Sequence, residues 1–156
     1  MFDVGDRMTE ATVHLFRSMA GLAVDEGPVV ELSNGHTSTD IVALVGLSGS
    51  TAGMVGVYTS SRLACRVVGA LLASEPTEVD EAVRDGFGEV ANIIAGNVVT
   101  ALGDMGETVQ LSLPTVIVGH HLVTSILDTV PPRRARTFTV CGEELYVELA
   151  LRRGEG

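Results

Sequence analysis

The residues of this 156-residue chain best placed to act together lie in one segment, EAVRDGFGEVANIIAGNVVTAL, over positions 81–102. Glu89 offers a carboxylate. Asn92, three residues on, offers an amide that both donates and accepts hydrogen bonds without carrying charge. At about 100° per residue, Asp85, Glu89, Asn92 and Gly96 fall within about 40° of one line along a helix. Phe87, Val90, Ala91, Ile94, Val98, Ala101 and Leu102 fall on the opposite side as one broad apolar face. The acid and the amide therefore stand side by side, facing outward, on a helix whose other side is anchored. A polar solvated face is ordinary, and a Glu/Asn pair alone is compatible with plain surface decoration. Glycine sets this face apart, because it costs about 1 kcal/mol relative to alanine in a helix interior. Gly96 lies within the stripe, and Gly86 and Gly88 precede it. Ile93 and Val99 flank the stripe and leave it poor in charge after Glu89. A bare, partly apolar face beside an acid and an amide suits a docking surface, with Asp85 and Gly96 as partner-contact positions.

Elements on either side must hold that helix. Apolar residues at three- and four-residue spacing predict an opening helix over about 6–21. Residues 26–28, Glu-Gly-Pro, read as a turn, followed by strands over 29–32, 41–47 and 53–59, the last two joined by a hairpin at 48–51. A second helix starts at Ser60 or Ser61, Pro76 interrupts it, and Thr77 is placed to cap the long third helix to about Leu102. Strands follow over 109–113 and 116–118, broken by Pro114. Residues 131–134 read as a loop, 137–140 and 145–151 as a terminal hairpin, and 152–156 as a polar tail. The expected fold is α+β with two layers, helices packed on a largely antiparallel β-sheet, in a single domain spanning 1–156.

Composition narrows the function. Ten arginines and no lysine face 20 Asp and Glu, giving a net charge of −10 and a pI near 4.7. Such a surface repels phosphate backbones and anionic lipid, so no nucleic-acid or membrane partner is expected. A hydrophobic fraction of 46% excludes intrinsic disorder. The N-terminus lacks the basic and apolar regions of a signal peptide, and the mostly apolar stretch 90–102 is too short to span a bilayer. Cys65 and Cys141 read as buried thiols in a reducing compartment, so a cytoplasmic protein is expected. The Gly/Ser-rich residues 48–53 lack the lysine of a phosphate-binding loop. His120 and His121, adjacent on a strand, point to opposite faces and make a poor metal site. Ser60 and Ser61 lack the Gly-x-Ser-x-Gly of a hydrolase elbow.

The run Asp85-x-x-x-Glu89-x-x-Asn92, continuing Ile93-Ile94-Ala95-Gly96-Asn97, resembles the signature helix of the CheC/CheX/FliY family of chemotaxis phosphatases. It is most similar to the CheX branch, which carries one such helix where CheC-type relatives carry two. Pro114, within Leu113-Pro114-Thr115-Val116, resembles the family proline some twenty residues downstream, and the likeness covers about 41–119. The resemblance implies hydrolysis of the aspartyl phosphate of a CheY-type response regulator in chemotaxis or related two-component signalling. The phosphorylated partner then supplies Mg2+ and a lysine, and this chain binds no cofactor. In that reading Asn92 orients the attacking water, Glu89 pairs with the partner's lysine, and Asp85 supports docking. A homodimer joined through its sheets is also implied. Two rivals stand beside the enzyme: a non-catalytic adaptor that binds the regulator, and a flagellar-switch module like the middle domain of FliY.

Overall fold

Val4, Met8 and Leu15 recur at helical spacing, and all three are buried in the computed structural model, which describes residues 3–32, 39–122 and 133–153. Helix α1 (Val4–His14) is capped by Asp3, whose carboxylate accepts from the Asp6 amide at 2.7 Å. A π-helical turn, Leu15–Met19, extends it and buries Leu15 and Phe16. Strands β1 (Val24–Glu31), β2 (Thr39–Gly49) and β3 (Thr51–Thr59) follow, then helices α2 (Ser61–Leu72) and α3 (Glu81–Asp104). The chain continues with β4 (Val109–Leu111), β5 (Thr115–Leu122), β6 (Arg134–Val140) and β7 (Glu143–Arg153).

The seven strands form one antiparallel sheet in the order β1-β6-β7-β3-β2, and β4 and β5 succeed one another along the outer edge of β2. Period-two alternation divides the strands between two faces. Ile41, Ala43, Val45, Val55, Val57, Leu145 and Val147 point to one face and join the inward residues of all three helices in one hydrophobic cluster. The expected layer of helices on an antiparallel sheet is what the structure shows.

Several boundaries differ from expectation, each for a local reason. Residues 26–28 do not form the expected turn ahead of a strand. They lie inside β1, where a register shift between Glu26 and Val29 absorbs the proline. Asp80, not Thr77, caps α3 by accepting from the Val83 amide at 2.9 Å. Strand β4 stops at Leu111, because Ser112 turns its hydroxyl to accept from the Gly46 amide at 2.8 Å. Arg152 and Arg153 extend β7 rather than forming a tail. The 131–134 loop lies partly outside the described residues, but Arg133 is buried and Arg134 opens β6. Cys141 is half-buried at a hairpin turn with φ of 51°, while Cys65 is buried, and both thiols are free.

Candidate functional site

Helix α3 holds the acid–amide pair on a rigid support. Val83, Phe87, Val90, Ala91, Ile94, Ala95, Val98, Ala101 and Leu102 are buried along its inner face. On the opposite side Asp85 and Glu89 are exposed, and Asn92 and Gly96 are half-buried. All four predicted site residues thus share the outward stripe. From Asp85 to Gly96 it runs about 16 Å at a rise of about 1.5 Å per residue.

Other polar side chains near the stripe bond within the protein. Asn97 donates to the Ile93 carbonyl at 2.9 Å, and the Thr100 hydroxyl donates to the Gly96 carbonyl at 3.0 Å. Arg84 reaches the Val116 carbonyl at 3.5 Å. Asp85, Glu89 and Asn92, in contrast, make no hydrogen bond or ion pair with another described residue. Their hydrogen-bonding capacity is not taken up by any other described residue.

The helix is flanked on both sides. Towards α1, Arg7 pairs with Asp104 at 3.3 Å, and Ile93 and Asn97 line a shallow depression with Glu10 and His14. Towards the sheet edge, Pro114 and Val116 lie against Gly88. A methyl group at Gly88 would stand 3.2 Å from the Val116 side chain and 3.4 Å from that of Pro114. At Gly86 it would stand 2.5 Å from Val68 of α2. These two glycines therefore serve close internal packing and do not flatten an outer surface. Ile93 and Val99 likewise are half-buried against the core instead of forming an open apolar rim. Gly96 alone among the three glycines has open space where a side chain would stand, with nothing within 4 Å.

Among the described residues no group of three or more His, Cys, Asp and Glu side chains is arranged to hold a metal ion. Among the described residues, too, no helix is long and apolar enough to cross a membrane. Residues 48–53 form the expected β2–β3 hairpin, and Ser60 caps α2 by accepting from the Leu63 amide at 3.1 Å. His120 and His121 lie on β5.

One cluster escaped the sequence reading. On the sheet face away from the helices, Arg133 makes a two-pronged ion pair with Glu148 at 2.6 and 2.7 Å. Arg133 also donates to the Tyr58 hydroxyl at 2.8 Å, and that hydroxyl donates to Glu148. Glu148 and Tyr58 are fully buried. The Tyr58 ring lies over Gly56, the cross-strand partner of Glu148, at a distance a side chain there would forbid. Because Glu148 alternates with Leu145, Val147 and Leu149, its place in the sequence looks like a solvent-facing one.

Three helices on a seven-stranded antiparallel sheet, with an unpartnered acid–amide pair on the long helix, define a CheC/CheX-type domain. The family model described as "Chemotaxis phosphatase CheX" matches residues 41–129, and the chain belongs to that family. It is 28% identical over 107 residues to the CheY-P phosphatase CheX of Thermotoga maritima, covering 68% of this chain and 69% of the relative. The crystal structure of the chemotaxis protein CheX from Desulfovibrio desulfuricans is similar with a TM-score of 0.84 and 30% identity. That match covers 97% of this chain and 100% of the other. The CheX–CheY–BeF3–Mg2+ complex from Borrelia burgdorferi has the same fold, with a TM-score of 0.81 at 24% identity over 98% of this chain and 100% of that one.

Proposed function

We propose that this chain is a cytoplasmic phosphatase that hydrolyses the aspartyl phosphate of a phosphorylated CheY-type response regulator. The observation that carries the reading is the outward-facing, unpartnered pair of Glu89 and Asn92 on a helix packed rigidly on its other face. The naming of the Thermotoga relative as a CheY-P phosphatase supports the substrate.

An acyl phosphate is already reactive, so the remaining task is to place a water in line with the phosphorus. The Asn92 amide accepts one hydrogen bond from that water and donates another, without a charge to repel the phosphoryl oxygens. Water adds to phosphorus and loses a proton to the surrounding solvent. The bond to the aspartyl oxygen breaks with its electron pair on the carboxylate, and inorganic phosphate leaves. Glu89, one turn away, pairs with the partner's lysine and sets the alignment. As a general base a solvated carboxylate is weak at neutral pH. Asp85 and Gly96 contact the partner beside the pair. Mg2+ belongs to the phosphorylated partner, in keeping with its presence in the Borrelia complex. A homodimer joined through its sheets is the assembly carried by the family resemblance, and sedimentation velocity tests it.

The decisive experiment follows loss of label from a panel of CheY-type receiver domains phosphorylated with radiolabelled acetyl phosphate. Asn92→Ala abolishes most of the acceleration while binding persists, and Glu89→Ala weakens both. An Asn92→Ala variant as fast as the parent refutes the mechanism. A parent that binds the phosphorylated receiver without hastening its decay is an adaptor.

A further inference from the structure

The acid–amide stripe is too small to hold a protein partner alone. A stable protein interface buries about 800 Å² on each side, whereas the stripe offers four positions along about 16 Å of helix. Its α1 flank is charged, with Arg7 and Glu10. The other flank is different. No charged residue occurs anywhere in residues 109–119, although the chain carries 20 acids. Leu111 and Val118 pair with Leu47 and Ile41 of the core, so their side chains point to the helix side of the sheet. Both stay more than a third exposed, at 36% and 38%. Between them Leu113 stands 89% exposed.

Leu113 is held, not loose. Ser112 donates its amide to the Gly46 carbonyl at 2.9 Å, and its hydroxyl accepts from the Gly46 amide at 2.8 Å. Pro114 restricts Leu113 to extended backbone, and Pro114 itself rests on Gly88, one helical turn before Asn92. A single exposed leucine ordinarily needs no explanation. This one has its backbone fixed from both sides, on an apolar ledge with Leu111, Val116 and Val118 that meets a charge where Arg84 reaches the Val116 carbonyl. Interface centres are depleted of charge in the same way, and a segment whose backbone is already fixed loses less freedom on binding.

We infer that Leu113 is the apolar anchor by which the phosphorylated response regulator seats against Asn92, and the β4–β5 ledge is the second half of its docking surface. The inference rests on the proposed phosphatase reading and goes beyond it by naming a positioning residue outside the acid–amide helix. Continuity of the ledge with the stripe favours the regulator over a second copy of this chain as the occupant.

The test compares Leu113→Ser and the conservative Leu113→Met with the parent, using the receiver domain the parent dephosphorylates fastest. Leu113→Ser raises KM about tenfold to a hundredfold, the range for losing burial of one leucine, and leaves kcat within about twofold. Leu113→Met restores KM, whereas Asn92→Ala shows the opposite split. Affinity for the receiver loaded with beryllofluoride, a phosphoryl mimic, is measured in the Asn92→Ala background, which separates anchoring from chemistry. There the added Leu113→Ser change weakens binding by the same factor, even if the parent proves to be an adaptor. An unchanged KM and affinity in Leu113→Ser overturns the anchor, and so does a change in its sedimenting mass, which would assign the ledge to contact between copies. A parent that neither binds nor dephosphorylates any receiver overturns both readings.

Discussion

Gly96→Ala should make this protein more stable and less active at once. A methyl group at Gly96 would meet nothing within 4 Å, so the substitution brings no clash inside the chain. Replacing a helix-interior glycine with alanine contributes about 1 kcal/mol. For a chain of this size that raises the thermal midpoint by about 2–4 °C. The same methyl stands one turn beyond Asn92 on the stripe offered to the partner. A displacement of about 1 Å in a positioned reactant lowers a rate by up to about a hundredfold, so kcat/KM for the phosphorylated regulator should fall about tenfold or more. Gly86→Ala is the contrasting control, because its methyl would stand 2.5 Å from Val68, which is 1% exposed. Overpacking of about 1–3 kcal/mol there meets or exceeds the helix gain, and the midpoint should not rise. Calorimetry and the label-loss assay on the same preparations decide the matter. A Gly96→Ala protein that melts higher with undiminished activity refutes the need for a bare backbone. One that melts lower refutes the outward placement of Gly96.

Ile94→Asp, at a fully buried position of α3, places an unpaired charge in the core and should prevent folding or lower the midpoint steeply, whereas Asn92→Ala should melt within a degree or two of the parent; equal losses would refute the assignment of helix faces. Arg133→Met leaves Glu148 buried without its counter-charge and should cost about 3–5 kcal/mol in urea unfolding, with much of the loss recovered in Arg133→Met/Glu148→Leu; a single variant as stable as the parent would contradict the pair's role. The Tyr146 phenol is pushed up to about 12 by burial and by its hydrogen bond to Glu144. The folded state therefore holds this proton after the unfolded chain has released it, and its contribution to stability, complete below about pH 10, fades as pH rises towards 12. Ultraviolet titration should show a tyrosine ionising late, and Glu144→Gln should bring that step to lower pH.

The helix layer, the antiparallel sheet and the outward stripe were legible because each rests on local periodicity. One hundred degrees per residue places Glu89 and Asn92 together whatever the rest of the chain does. The roles of Gly86 and Gly88 were not legible, since a glycine that admits Val68 or Pro114 looks the same in sequence as one that bares a surface. Asp80 displaced Thr77 as the α3 cap because both are good capping residues and tertiary packing chose where the helix begins. Leu113 is plain in the sequence, but its exposure depends on β4 and β5 sharing one edge of β2. The Arg133–Glu148 pair is equally non-local: nothing near Glu148 in sequence indicates that an arginine fifteen residues earlier folds back over it.

That pair also limits the ways the sheet can assemble wrongly. Sliding β7 by one residue against β3 would exchange its two faces. Leu145, Val147 and Leu149 would leave the helix layer, and Glu148 would enter hydrocarbon. A hydrophobic alternation tolerates a two-residue slip far better, because the pattern repeats. The carboxylate does not repeat: such a slip would carry it off Gly56 and away from the Tyr58 hydroxyl. The central strands therefore carry a positional key, and the edge that bears β4 and β5 is built outward from a hairpin whose alignment is already settled.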